Sequence, residues 1–488
     1  MTTIFSIKPL LAVLVSLLLP PILISSRSAN VREGWTFAVA IAKFLIVASM
    51  VPIVLAGHQL GFTVAEVIPG AAIAFRVDAL GLLFALVASM LWIVTSAYSI
   101  GYMRSLKEHS QTRYFCFFAL ALSATIGVAF SANLLTMYLF YEMLSFATYP
   151  LVTHHQDREA RASGRRYLFY IVGTSIGLVL PAMLICYHLT GTLEFASAGI
   201  LSGAASPRLT ALLLFMFVLG FAKAAIMPMH GWLPAAMVAP TPVSALLHAV
   251  AVVKVGVFCI ARVITGIFGV ELLSSTHLGT AICYLAGFTV VVASLIAISQ
   301  DGLKRRLAFS TIGQLAYIVL GLALLSPLGM IGGLTHIAMH AFGKITLFFC
   351  AGAIFVATGK KYISEMTGIG KRMPVTMAAF FIGSLSVIGL PPTGGFFSKW
   401  YLVLGTLESG QTTMLVVLLG SSLLNAAYFL PIVYNAFFCA PERSLFENKV
   451  EEAPLWCVVP PVITAVCTIA LFFYPTLFKR LAELAISP

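Results

Sequence analysis

The stretch LGMIGGLTHIAMHAFGKITLFFCAGAIFVA, residues 328–357, decides how the rest of the chain is read. Coiled as a helix, these residues rise about 45 Å, more than the roughly 30 Å hydrocarbon core of a bilayer. The run is almost wholly apolar, yet His336, His340 and Lys344 recur in it at intervals of four. Residues four apart share one helix face, so the three form a stripe about 12 Å long. Ionisable groups are costly in hydrocarbon and persist where they face a bundle interior, a partner or water. Histidine titrates near neutral pH. The stripe therefore reads as a short ladder for proton hops inside a buried membrane helix.

The whole chain fits that setting. Of its 488 residues, 60% are hydrophobic and only 9% charged, against about 25% charged in an average soluble domain. The eight cysteines are scattered singly, without a CxxC pair, which argues against a disulfide framework, a zinc site or an iron–sulfur cluster. Cys186, Cys259, Cys283 and Cys350 lie in apolar runs and read as packing residues. The N-terminal apolar run continues into further spans and reads as a retained helix rather than a cleaved leader.

Apolar runs between polar or Pro/Gly punctuation give fourteen expected helices: 9–26, 35–56, 78–101, 113–131, 134–152, 166–190, 208–228, 242–265, 277–299, 305–325, 328–357, 374–394, 411–439 and 455–478. The net charge of +12 is mostly an orientation signal rather than a nucleic-acid footprint. The odd-numbered loops hold eighteen basic residues: Arg27, Arg32, Arg104, Lys107, Arg113, Arg158, Arg161, Arg165, Arg166, Lys304, Arg305, Arg306, Lys360, Lys361, Lys371, Arg372, Arg443 and Lys449. The other side holds six: Lys8, Arg76, Arg208, Arg262, Lys479 and Arg480. Under the positive-inside rule the odd loops are cytoplasmic and both termini lie outside.

Five lysines remain within spans or at span breaks: Lys43, Lys223, Lys254, Lys344 and Lys399. Glu142 is the mid-span acid, in LTMYLFYEMLSFATYP, with Tyr138 and Ser145 on its face. Asp78 sits at a helix start. Lys223 precedes Pro228 and Pro234 in LGFAKAAIMPMHGWLPAAM, so the seventh helix is expected to break just past the lysine. The twelfth is expected to break at Pro391 and Pro392 in VIGLPPTGGFFSKW, ahead of Lys399. Paired broken segments in two halves of a chain point to inverted repeats around a transport site. His248 and Lys254, six residues apart, lie about 9 Å apart along the eighth helix, on different faces. Lys43 is expected to snorkel or to meet a partner subunit.

A single mid-membrane carboxylate is too little for an all-protein sodium cage, which needs several oxygen ligands. The composition favours protons, moving along lysines that are neutral or charged in turn. Haem ligation by His248, His336 and His340 is disfavoured by Lys344, one turn from His340, and no cofactor or metal is expected.

The stretches YLFYEMLSFATYPLV, GFAKAAIMPMHGWLPAAMVAPTPVSALLHAVAVVKVGVF, HIAMHAFGKITLFFCAGAI and GLPPTGGFFSKW strongly resemble one family. It comprises the antiporter-like membrane subunits of respiratory complex I, membrane-bound hydrogenases and Mrp-type multisubunit cation/proton antiporters. Within it the chain is most similar to the D-type component of the Mrp antiporters. The resemblance implies an all-α polytopic fold of about fourteen transmembrane helices with broken helices 7 and 12. It implies two inverted five-helix repeats, helices 4–8 (113–270) and helices 9–13 (271–440), flanked by helices 1–3 (1–112) and helix 14 (441–488). It matches Glu142 and Lys223 to a switching ion pair. It matches Lys254, Lys344 and Lys399 to further proton-carrying lysines, with His248, His336 and His340 as supporting relay. The implied protein is a proton-translocating transporter subunit rather than a catalyst by itself, within a hetero-oligomeric complex of the inner (plasma) membrane. A redox-driven pump of the complex I or hydrogenase kind is the alternative setting.

Overall fold

The structure is a computed structural model that describes residues 2–26, 28–440 and 451–487. Arg27, Arg443 and Lys449, three of the eighteen orienting charges, lie outside the described residues.

Among the described residues, eleven helices are long and apolar enough to cross a membrane. They are α1 (Lys8–Ser25), α2 (Ala29–Leu55), α3 (Ala79–Ser105), α4 (Gln111–Ala129), α6 (Arg158–Thr190), α8 (Thr241–Phe268), α9 (Leu278–Ser299), α10 (Leu303–Ala323), α11 (Pro327–Thr358), α14 (Thr412–Phe438) and α15 (Leu455–Phe473). The other three expected spans are also helices: α5 (Leu134–Val152), which carries Glu142, and the shorter α7 (Pro207–Gly220) and α12 (Pro374–Ile388). Two further helices longer than ten residues go beyond the expected set. α13 (Gly394–Glu408) continues α12 beyond its break, and α16 (Thr476–Ile486) is an amphipathic helix following α15.

The helices are not equally buried. α8 is enclosed on all sides, α10 and α3 nearly so, whereas α6 presents most of its surface outward. A helix apolar all round belongs in the middle of a bundle. α8 occupies that place although it carries His248 and Lys254, so those two side chains must find partners within the protein.

A small three-stranded sheet lies beside the helices: β1 (Thr3–Phe5), β2 (Gln59–Ile68) and β3 (Ala71–Val77), in the order β1-β2-β3. β2 and β3 form an antiparallel hairpin turned at Pro69–Gly70, where the hydropathy pattern shows only a connection between spans. Gly70 has φ +76, and a Cβ there would meet the Gly191 carbonyl at 2.3 Å, so the tip of the hairpin fits against the turn after α6.

Several boundaries differ from expectation. α6 begins at Arg158, capped by the Asp157 carboxylate, which accepts from the Ala160 N–H at 2.7 Å. Arg158, Arg161, Arg165 and Arg166 therefore sit on its first turns rather than in a loop. Arg76 and Arg262 are not loop charges either. Arg76 lies on β3, and Arg262 lies on α8 in a two-point ion pair with Asp78, at 2.5 and 2.7 Å. Asp78 also caps α3, accepting from the Gly81 N–H at 2.8 Å. Arg262→Ala is expected to destabilise the protein toward the lower end of the about 3–5 kcal/mol cost of breaking a buried pair, because Asp78 keeps some exposure. Thermal unfolding of the detergent-solubilised protein measures it, and an unchanged midpoint would remove this tie from the fold.

Candidate functional site

The site is built on two interruptions. α7 ends at Gly220, and Phe221 turns out of helical geometry (φ −77, ψ 57). A tight turn over Ala222–Ala224 and a left-handed Ala225 (φ +54) follow. The break thus comes before Lys223, not after it. The prolines at 228 and 234 lie further on, in the irregular segment that returns toward α8. Gly256 on α8 permits the close approach: a Cβ there would meet the Ala224 nitrogen at 2.0 Å and the Lys223 carbonyl carbon at 2.3 Å. Backbone on backbone cannot give way easily. Gly256→Ala is expected to cost about 1–3 kcal/mol, the scale of overpacking, and to displace Lys223. A thermal-stability measurement together with a transport assay checks both effects.

The second interruption lies between α12 and α13. α12 stops at Ile388, Gly389 takes φ +90, and Pro391 and Pro392 carry the chain into α13. Ending a helix leaves its last carbonyls without intrahelical partners. Lys399, one and a half turns into α13, reaches back to them, and its Nζ donates to the Val387 and Ile388 oxygens at 2.9 and 3.0 Å. It also lies 3.3 Å from Ser422 Oγ and 4.5 Å from the Tyr317 ring centre. The lysine at this break is held by the break itself.

Between these ends the polar side chains form local pairs. Lys223 is fully buried; its Nζ donates to the Tyr141 carbonyl at 2.6 Å and to Ser145 Oγ at 2.7 Å, and sits 3.2 Å from the Tyr141 ring centre. It makes no ion pair with Glu142 within 4.0 Å. Glu142 turns instead to α6, where its Oε1 accepts from Ser175 Oγ while Oε2 has no protein partner. Ser175 opens a π-helical turn, Ser175–Val179.

A second π-helical turn, Leu246–Val250, contains His248. Such turns are rare and recur at functional sites. It ends at Ala251 (φ −112, ψ −76), so His248 and Lys254 are not on one regular helix. His248 packs on Phe348 and neither ring nitrogen has a hydrogen-bond partner. Lys254 Nζ lies 2.7 Å from His340 Nδ1, within the roughly 2.6–3.2 Å reach for direct proton transfer.

The α11 stripe then faces three directions. His340 meets Lys254 of α8. His336, stacked on His340 with ring centres 5.7 Å apart, places Nε2 3.0 Å from Gln314 Oε1 of α10 and Nδ1 2.8 Å from Ser398 Oγ of α13. Lys344 Nζ donates to Ser310 Oγ of α10 at 2.8 Å. The Tyr428 hydroxyl of α14 lies 3.0 Å from that oxygen and 2.5 Å from Asn425 Oδ1. Ser398 adjoins Lys399 in sequence, so the stripe connects to the second break.

Sequence reasoning missed Gln314, Ser310, Ser398, Ser175 and Tyr428. Gln314, a side-chain amide in the middle of an expected span, was the signal available. Lys43 neither snorkels nor faces outward. It is fully buried, donates to the Leu122 carbonyl at 3.2 Å and lies 5.3 Å from the Trp92 ring centre. It stands apart from the groups described above.

A cavity of about 1040 Å³ opens among the odd-numbered loops. Its lining includes Glu108, His155, His230 and Lys304, and it reaches Thr241 on α8 and Phe309 on α10, next to Ser310.

Comparison with known proteins gives the family and the fold. The transmembrane family described as NADH:quinone oxidoreductase/Mrp antiporter matches residues 131–425, which hold Glu142, Lys223, Lys254, Lys344, Lys399, His248, His336 and His340. NADH-quinone oxidoreductase subunit N of Desulforudis audaxviator is 37% identical over 348 residues, 70% of this chain and 68% of that one. The A-type component of the Na(+)/H(+) antiporter of Alkalihalophilus pseudofirmus is 31% identical over 484 residues, covering 92% of this chain and 58% of its own length. The chain spans about half to two thirds of the length of the curated relatives it matches. A chain in the solved Mrp complex from Dietzia sp. DQ12-45-1b has the same fold, with a TM-score of 0.87 at 24% identity, over 99% of this chain and 97% of that one. The protein is thus an antiporter-like, multi-pass membrane subunit, one that belongs to the NADH:quinone oxidoreductase/Mrp antiporter transmembrane family.

Proposed function

We propose that this chain is the D-type, proton-translocating component of an Mrp-like multisubunit monovalent cation (Na+)/proton antiporter. The observation that carries the reading is the set of buried amine and imidazole groups spaced between the two helix breaks. Lys223 lies at the first and Lys399 at the second, with Lys254, His340, His336 and Lys344 between. The Lys254–His340 contact brings one basic nitrogen within direct reach of another, so a proton can change owner without charge separation. Glu142 Oε2, His248 and His340 Nε2 are buried without a protein partner; bridging water is the usual partner of such atoms and would carry protons across the remaining gaps.

In this reading Glu142 and Lys223 approach each other and part during the cycle, and the geometry described above is the parted state. Residues 113–270 and 271–440 act as inverted repeats, a reading supported by a lysine beside the break of each half. The chain works in the plasma membrane beside other membrane subunits, with the cavity and odd-numbered loops cytoplasmic and both termini outside.

The alternative is the same proton path in a redox-driven complex, favoured by the 37% identity to a component of an NADH-quinone oxidoreductase. Purifying the complex through this chain and identifying its companions separates the two. Several membrane subunits and sodium-dependent proton exchange in vesicles support the antiporter. Iron–sulfur partners and electron-driven proton flux would replace it with the redox reading.

A further inference from the structure

Outside the proton path, four ligand-type side chains converge where the α3–α4 loop meets the α5–α6 loop. Glu108 and His109 come from the first loop, His154 and His155 from the second. Three imidazole nitrogens surround one carboxylate oxygen, Glu108 Oε2: His155 Nδ1 at 3.7 Å, His154 Nε2 at 3.8 Å and His109 Nδ1 at 4.0 Å. The ligand atoms of Glu108, His109 and His154 all lie within 4.8 Å of one another. Around tetrahedral zinc, with bonds of about 2.0–2.1 Å, neighbouring ligand atoms sit roughly 3.3 Å apart. Closing the shell would shorten the three contacts to the carboxylate by about half an ångström and draw the imidazole nitrogens together by more.

Two details point to a ligand rather than to a plain ion network. His154 is completely buried and neither of its ring nitrogens has a hydrogen-bond partner. His109 uses Nε2 on the His154 carbonyl at 3.0 Å. A metal-binding histidine commonly donates its other ring N–H to a backbone carbonyl in this way, which leaves the opposite nitrogen free to coordinate. Arg113 is tied to the same carbonyl at 2.9 Å. Lys107, Ser110 and Gln156 hold left-handed φ values of 50, 51 and 58 on either side of the cluster, turning both loops inward.

We propose that Glu108, His109, His154 and His155 form a binding site for a zinc-class divalent transition-metal ion that cross-links the α3–α4 and α5–α6 loops. One carboxylate and three imidazoles are the nitrogen and oxygen donors such ions select. Glu108 and His155 also line the 1040 Å³ cavity, so a bound ion places a dication in its wall.

The test is zinc titration of the chelator-stripped, assembled complex against a chromophoric competitor, with X-ray absorption at the zinc edge. The wild-type complex is expected to hold one more equivalent of zinc per copy of this chain than the His109→Ala/His155→Ala variant does, in a nitrogen/oxygen shell with imidazole scattering. His109 is exposed and His155 partly so, which favours assembly of the variant; gel filtration checks it. Glu108→Gln is a second variant, expected to weaken binding by at least about 10–100-fold, the range that even an outer partner of a metal ligand commands. Equal stoichiometry and affinity in wild type and both variants, or a wild-type shell without imidazole, would overturn the site. Zinc inhibition of transport that disappears in the variants would add that the cavity serves proton uptake. That further result rests on the proposed function, whereas the binding result does not.

Discussion

Lys223→Ala in the assembled complex is expected to reduce cation/proton exchange by about 10²-fold or more, the scale on which loss of a positioned proton carrier acts, while assembly is retained. The amine is fully enclosed and held by a carbonyl, a hydroxyl and an aromatic face. None of these is a carboxylate, so the side chain is not locked into a permanent ion pair. The break at Phe221 and the missing Cβ of Gly256 bring α8 against Lys223, toward Lys254. Exchange measured in vesicles, with complex abundance on a native gel, checks the prediction. Exchange near the wild-type rate would remove the first half of the chain from the path.

The second large effect is expected at Lys344. Lys344→Ala removes the amine that donates to Ser310 and lies 5.5 Å from the Phe429 ring centre. Transport is expected to fall by about 10²-fold, again with the complex assembled. Lys344→Met preserves the side-chain volume without an exchangeable proton and is expected to behave in the same way. Recovery of transport in the methionine variant would mean that Lys344 fills space rather than carries protons, and would take the α11 stripe out of the proton path.

The fourteen expected helices and both breaks were legible because hydropathy, prolines and loop charges report on each segment separately. So were the chemical groups: a lysine inside an apolar run stands out wherever it packs. Contacts between segments were not legible. Lys254 and His340 are 86 positions apart in the chain, and their meeting depends on how α8 and α11 are rotated, which no local pattern records. The parting of Glu142 from Lys223 has the same origin, since it turns on Ser175 and a π-helical turn in α6. Lys43 looks like a peripheral charge because its segment lies near one end of the chain, yet α3 and α4 cover it. α13 is hidden behind GLPPTGG, where the break signal is stronger than the helix that follows. The β2–β3 hairpin is masked when every segment is read for spans. The histidines at 109, 154 and 155 lie in loops, away from the buried charges that an apolar span makes conspicuous.

The most direct test of a path built on proton-carrying lysines is proton flux through the assembled complex carrying Lys223→Arg. Arginine keeps the positive charge and most of the length but does not release its proton. If Lys223 carries protons, flux in vesicles falls to the level of Lys223→Ala. If flux is instead restored to the wild-type level, the position needs only a fixed charge, and proton transfer through this lysine is contradicted.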